Sequence, residues 1–293
     1  MGCTMLNVDK ILLPIDLQDP SKSVVHQAAV LARHFHSEIL MLHVVTPLSY
    51  AAGMLEGNYV PANLGDLLQQ LLKNAQKRLD EYLGPELAGL SVRRMLIEGD
   101  PATTILQTAR DEKVGLIAMP THGYGTFRRF LLGSVTSKVL HDSEYPVWTG
   151  AHLEEEPRRE FAIRNILCPI DLTAHSRKTV QEAQELAGQF RARLTLAHIT
   201  PRADVYGPDD FDFGPAWNEK LVSAASQGIA KLQQELGTKA DVVVESGDVP
   251  KVLNQVAKQC NADVLVIGRP PHGRLRATGY GIIRDSHIPV LSV

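Results

Sequence analysis

Short runs of apolar residues alternate along this chain with longer stretches in which apolar positions recur every three or four residues. The runs KILLPI from Lys10, EILMLHVV from Glu38, VRRMLI from Val92, VGLIAMP from Val114 and YPVWT from Tyr145 have strand length and little polar alternation. That is the pattern of strands covered on both faces. Between the first two runs, Val24, Val25, Ala28, Leu31, Ala32 and Phe35 fall at the i, i+3, i+4, i+7 spacing, which predicts a helix over residues 21–35. Further helices are expected over residues 64–82 and 134–141, and one begins at Pro101, where proline suits a first turn and Asp100 supplies a cap. Strands alternating with helices predict an α/β fold built on open parallel sheets with helices on both faces. Such sheets bind ligands at the carboxyl ends of their strands, where the strand order reverses.

The pattern is written twice. Residues 11–35, ILLPIDLQDPSKSVVHQAAVLARHF, match residues 166–190, ILCPIDLTAHSRKTVQEAQELAGQF, at twelve of 25 positions without a gap. In the same order, LMLHVV answers TLAHIT, EGDPATTIL answers SGDVPKVLN, and YPVW answers IPVL. Four ordered matches mark a duplicated unit. We expect domains at 1–150 and 164–293, each with a five-stranded sheet, joined by a polar linker at 151–163.

With 44% hydrophobic and 22% charged residues, the composition is that of a water-soluble globular protein. The net charge of −3 gives no electrostatic reason to expect nucleic acid or an anionic membrane as a partner. No apolar run approaches the roughly 18 residues of a membrane span, and residues 1–10 lack the pattern of a signal peptide. Cys3, Cys168 and Cys260 are too scattered for a disulfide framework or a CxxC metal site. The expectation is a reduced, cytoplasmic protein.

Two constellations carry candidate chemistry. Pro14, Ile15 and Asp16 end the first strand; a carboxylate there serves either a ribose hydroxyl or metal in the cleft, or the turn and helix behind it. Pro120, Thr121, His122 and Gly123 are followed, after nine residues, by Gly133, Ser134 and a helix. Glycines let backbone amides approach phosphate, and a helix start favours an anion; the other reading is a plain loop and helix opening. Arg128 and Arg129 lie within that loop. His34, His36, His43 and His198 show no metal-ligand spacing, so a structural role is expected for them. No recognisable nucleophile–base pair stands out.

The order strand, Pro-x-Asp, helix, strand ending His-Val, Gly-Asp-Pro, then His-Gly-x9-Gly-Ser, helix and Pro-Val resembles the universal stress protein family over nearly the full length of both halves. The resemblance implies an adenine-nucleotide α-hydrolase-like fold and ATP, with or without Mg, in the first copy. Pro14, Ile15 and Asp16 would flank the nucleotide, Val44 and Met119 would lie beside the adenine, and Gly123, Gly133, Ser134 and Val135 would hold ribose and phosphates. His122 sits in the same phosphate loop. The family signature is Gly-x2-Gly-x9-Gly-Ser/Thr, and its first glycine is replaced here by Pro120, which fixes φ and removes an N–H. The resemblance also implies that residues 146–149 and 289–293 meet within the chain, that chains form a homodimer, and that a signalling partner, unidentified, reads the nucleotide state.

The second copy keeps Pro169, Ile170, Asp171, Ile199, His272 and Gly273, but only Arg274 and Leu275 stand before Arg276, which aligns with Gly133. Its cleft either lacks the triphosphate cradle or forms a different anion site from Gly268, Arg269, Arg274 and Arg276. Function then divides three ways: a nucleotide-binding stress protein with weak ATP hydrolysis at most, an interaction scaffold with both sites dead, or an ATP-using enzyme of a related fold. The absence of a Ser-Gly-Gly-type loop after Asp16 counts against the last.

Overall fold

In the computed structural model of the chain, the described residues are 8–17, 22–46, 64–82, 84–121, 132–151, 161–200, 215–270, 275 and 277–293. They divide into two compact units, Val8–Tyr145 and Pro146–Val293. The first contains β1 (Lys10–Pro14), α1 (Lys22–Phe35), β2 (Glu38–Val45), α2 (Leu64–Glu81), β3 (Val92–Glu98), α3 (Pro101–Asp111), β4 (Leu116–Met119) and α4 (Ser134–Asp142). The second contains β5 (Val147–Thr149), β6 (Asn165–Pro169), α5 (Ser176–Phe190), β7 (Arg193–Thr200), α6 (Pro215–Leu236), β8 (Asp241–Ser246), α7 (Val249–Gln259), β9 (Val264–Ile267), α8 (Ala277–Asp285) and β10 (Val290–Ser292).

Within the first unit the strands lie in the order β3-β2-β1-β4, and β1 pairs in parallel with both β2 and β4. The chain runs outward from β1 to β3 and then returns to place β4 on the other side of β1. The order therefore reverses at β1 and β4, and their carboxyl ends form the switch point. The second unit repeats the arrangement as β8-β7-β6-β9, with parallel pairs throughout and the switch at β6 and β9. Consecutive residues of the central strands are buried, Ile11 to Leu13 and Ile39 to Leu42 among them, so both faces of the sheet are covered.

Beyond β9 the second unit adds β10 in parallel and then β5 antiparallel to β10, with Val290 opposite Thr149, Leu291 opposite Trp148 and Ser292 opposite Val147. The two last strands of the repeats thus meet within the chain. Trp148 is fully buried and meets the ring of Phe161 edge-on at 5.9 Å. This grouping places β5, which the sequence repeat assigns to the first copy, in the second compact unit.

The repeated Gly-Asp motif has a local cause. Asp100 caps α3 through Thr103 N–H at 3.0 Å, and Asp248 caps α7 through Lys251 N–H at 3.3 Å. A Cβ on Gly99 would stand 2.5 Å from Thr104 Oγ1, and Gly247 holds φ at +146° with no room beside Val252. Glycine is what lets each helix turn back this closely onto its sheet.

At the amino ends of the strands, away from the switch point, Glu112 gathers two cations. Its carboxylate accepts from Arg93 at 2.9 Å and from Lys10 at 3.1 Å, and Arg93 also approaches Glu38 at 3.4 Å. The Arg93 guanidinium, aided by Lys10, holds the Glu112 carboxyl down at about 2. Since the folded carboxyl titrates below its unfolded counterpart, its contribution is complete above the unfolded value and is lost as pH falls through the folded one. Allowing for solvent screening, Glu112→Gln should cost about 1 kcal/mol at neutral pH. In urea titrations the gap between variant and parent should close as pH falls from about 5 to about 2; a gap independent of pH would show that the network contributes through packing alone.

Candidate functional site

At the first switch point the chain leaves β1 under close control. One residue past the strand, Ile15 N–H donates to Leu42 O at 2.9 Å, which extends the parallel ladder by one step. Ile15 O lies 3.0 Å from Nδ1 of His43. A carbonyl only accepts, so His43 carries its proton on Nδ1 in this bond. The histidine is structural, as its sequence setting suggested: it ties the end of β2 to the turn after β1. Asp16 follows and is exposed at the rim, while Arg78 of α2 donates to Leu17 O and holds the next residue.

The neighbouring strand ends in Met119, buried at the floor of the same rim, then Pro120 and the buried Thr121. Two bonds tie this end to α4. Gly133 N–H donates to Thr121 O at 2.8 Å, and the Thr136 hydroxyl donates to Pro120 O at 2.9 Å. Together they pinch the base of the segment that separates Thr121 from Gly133. The first bond inside α4 runs from Ser137 N–H to Gly133 O at 2.8 Å, so the amides of Ser134, Val135 and Thr136 precede the intrahelical ladder. Gly133 has φ −58° and ψ 145°, a conformation open to any residue. Its own N–H is engaged by Thr121, so Gly133 is not a donor toward the cleft.

The structure therefore brings Pro14, Ile15, Asp16, Met119, Pro120, Gly133, Ser134 and Val135 to the carboxyl ends of β1 and β4 and the start of α4, with half-buried Val44 one strand over on β2. His122 and Gly123, with Arg128 and Arg129, lie outside the described residues. Thr136 was not singled out from sequence, because a threonine in a first helical turn carries no signal of its own. Among the described residues, no group of three or more His, Cys, Asp or Glu is arranged to hold a metal ion, and no helix is long and apolar enough to cross a membrane.

The second unit repeats the pinned turn: Ile170 N–H donates to Ala197 O at 2.8 Å, and Nδ1 of His198 lies 2.8 Å from Ile170 O. Its aspartate closes the turn that follows. Asp171 Oδ1 accepts from Thr173 N–H at 3.1 Å, the Thr173 hydroxyl at 2.7 Å and the Ser176 hydroxyl at 2.9 Å, which closes the turn into α5. Of the two roles open to this position, the second copy uses the turn-closing one. Arg276 stands directly before α8 as Gly133 stands before α4; Pro271, His272, Gly273, Arg274 and Arg276 itself lie outside the described residues.

An α/β unit with a mostly parallel sheet and a cleft at its strand-order reversal, present twice in one chain, defines the class of protein. The family model described as Universal stress protein family matches residues 7–149 and again 162–293, and the chain belongs to that family. A universal stress protein of Mycolicibacterium smegmatis is 25% identical over 279 residues, covering 92% of this chain and 89% of that protein. Universal stress protein MJ0531 of Methanocaldococcus jannaschii is 30% identical over 140 residues, 47% of this chain and 79% of that protein. The crystal structure of a universal stress protein from Archaeoglobus fulgidus superposes with a TM-score of 0.69 at 21% identity, covering 97% of this chain and 98% of that one. That likeness shows the fold.

The pinch makes its own prediction. Thr136 is buried, and Thr136→Val keeps its shape while leaving Pro120 O without its donor. Urea unfolding should show a loss of about 1–3 kcal/mol for Thr136→Val and a smaller one for Thr136→Ser, which keeps the hydroxyl. A larger loss for Thr136→Ser than for Thr136→Val would mean that packing of the methyl, not the hydrogen bond, holds this end of α4.

Proposed function

We propose that the chain binds an adenine nucleotide, ATP, in the cleft of its first unit and acts as a cytoplasmic stress-response protein through nucleotide-dependent conformation or association. The observation that carries this reading is the convergence of Asp16 and the exposed start of α4 on one switch point. This happens in the copy that also keeps Gly123, the nine-residue spacing, Gly133 and Ser134. Amides ahead of the intrahelical ladder and the positive end of the helix dipole favour phosphate oxygens. Asp16 is exposed at the rim within reach of the solvent side of the cleft, where ribose hydroxyls would seek an acceptor. Met119 and Val44 supply apolar surface for a base. Mg would enter with the phosphates rather than on a site built by protein carboxylates.

Pro120 does not oppose this reading. The carbonyl of Pro120 is held by the Thr136 hydroxyl, which ties the end of β4 to the first turn of α4. Action by linkage follows from binding: ATP at 100 times its dissociation constant stabilises the state that binds it by about 2.7 kcal/mol. A conformation or a homodimer that grips nucleotide better is favoured by the same free energy.

The test is Gly133→Val. Its backbone angles suit valine, so the fold should persist, while the branched side chain fills the space beside Ser134. Calorimetry should find one ATP per chain in the parent and none at millimolar nucleotide in the variant, with unchanged unfolding. Undiminished ATP binding by a folded Gly133→Val chain would remove α4 from the site.

A further inference from the structure

β3 is the outer strand of the first unit, with β2 on one side of it and, among the described residues, no strand on the other. Ile39 N–H donates to Ser91 O at 2.8 Å, and Gly99 N–H donates to Val45 O at 3.0 Å. Alternate residues of a strand bond to the same neighbour. Arg93, Met95 and Ile97 therefore turn their backbone groups toward β2, and Arg94, Leu96 and Glu98 turn theirs outward. Such a row of donors and acceptors is a template for a further strand.

The side chains of those outward residues share one face of the strand. Arg94 is half-buried, with its Nε donating to Leu79 O at 3.0 Å, and Glu98 is exposed. Among the described residues neither has an ion-pair partner, whereas Arg93, on the other face, is taken up by Glu112 and Glu38. Four strand residues separate Arg94 from Glu98 by about 13 Å, too far for the two to meet within one chain. The edge strand of the second unit, β8, lacks both charges. Aligned on the Gly-Asp motif, it carries Val242 and Ser246 in their places, and the Ser246 hydroxyl is paired with that of Thr200 at 2.6 Å.

We propose that two copies of the chain pair through β3, antiparallel about a two-fold axis at Leu96. Leu96 then lies opposite its own counterpart, and each Arg94 lies opposite the other copy's Glu98. Facing outward residues exchange both their N–H and C=O bonds in such a ladder, so the open edge of each strand is satisfied. On the other face Met95 meets Ile97, an apolar cross-strand pair. The charges select this register. Centring on Arg94 or Glu98 sets like charges together, and centring on Met95 or Ile97 sets a charge against Leu96. Pairing β3 with a second copy's β8 would leave Arg94 opposite Ser246 and Glu98 opposite Val242. The self-complementary contact closes as a dimer rather than growing. It stands on the sheet edge alone and does not rest on nucleotide binding.

The test is sedimentation equilibrium of the full chain without nucleotide. The parent should dimerise reversibly in the micromolar range. Glu98→Arg, a change at an exposed position, sets arginine against arginine and should weaken the dimer at least about tenfold, and Arg94→Glu should do the same. Mixed in equal amounts, the two variants place opposite charges at both sites and should form a heterodimer of parental affinity. The double variant Arg94→Glu, Glu98→Arg should recover the homodimer. A parent monomeric throughout the micromolar range, a dimer indifferent to both charge reversals, or growth beyond two copies would overturn the proposal. Glu98→Arg and the parent decide it even if Arg94→Glu, which loses the bond to Leu79 O, does not fold.

Discussion

The arrangement of both clefts depends on one residue at the mouth of each sheet. Past the end of the first strand the backbone makes a further ladder bond, from Ile15 N–H to Leu42 O, and then gives its carbonyl to the histidine that ends the next strand. The second unit does the same with Ile170, Ala197 and His198, at distances that differ by no more than 0.2 Å. A donor and an acceptor fixed on one residue leave the chain a single exit from the sheet. The aspartate that follows is thereby delivered to the rim beside the end of the neighbouring strand. The Pro-Ile-Asp corner is the visible sequence of that constraint.

From the same exit the two copies diverge. In the first, Thr121 and Thr136 pinch the segment ahead of Gly133 and present the start of α4 to the rim. In the second, the aspartate closes the turn into α5, the segment before the helix is shorter, and an arginine occupies the strand end. A duplicated unit keeps what folds it, the ladder, the caps and the histidine, while the residues around the switch point change. This separation is expected when a rigid scaffold positions functional loops.

Much of this was legible in the residues. The strands announced themselves because covering both faces leaves no room for polar alternation, and α3 because Asp100 and Pro101 form a recognisable start. The pairing of β5 with β10 came from the family resemblance, which implied that residues 146–149 and 289–293 meet within the chain, and not from the repeat pattern itself. Those are tertiary contacts between residues far apart in the chain, and no local pattern encodes them. Nor did any motif mark Thr136, whose hydroxyl matters only because the fold brings Pro120 O to it. Arg269 drew notice as a possible anion ligand, but its burial and apolar neighbours follow from packing rather than from its sequence setting.

The central claim, that one of two like clefts grips nucleotide phosphate at a helix start, is tested most directly by a crystal structure of the chain grown with ATP. The account predicts nucleotide density at the carboxyl ends of β1 and β4, with phosphate oxygens at the amides of Ser134 and Val135, and no triphosphate in the second cleft. Triphosphate density between β6 and β9, or an empty first cleft at millimolar ATP, would contradict it.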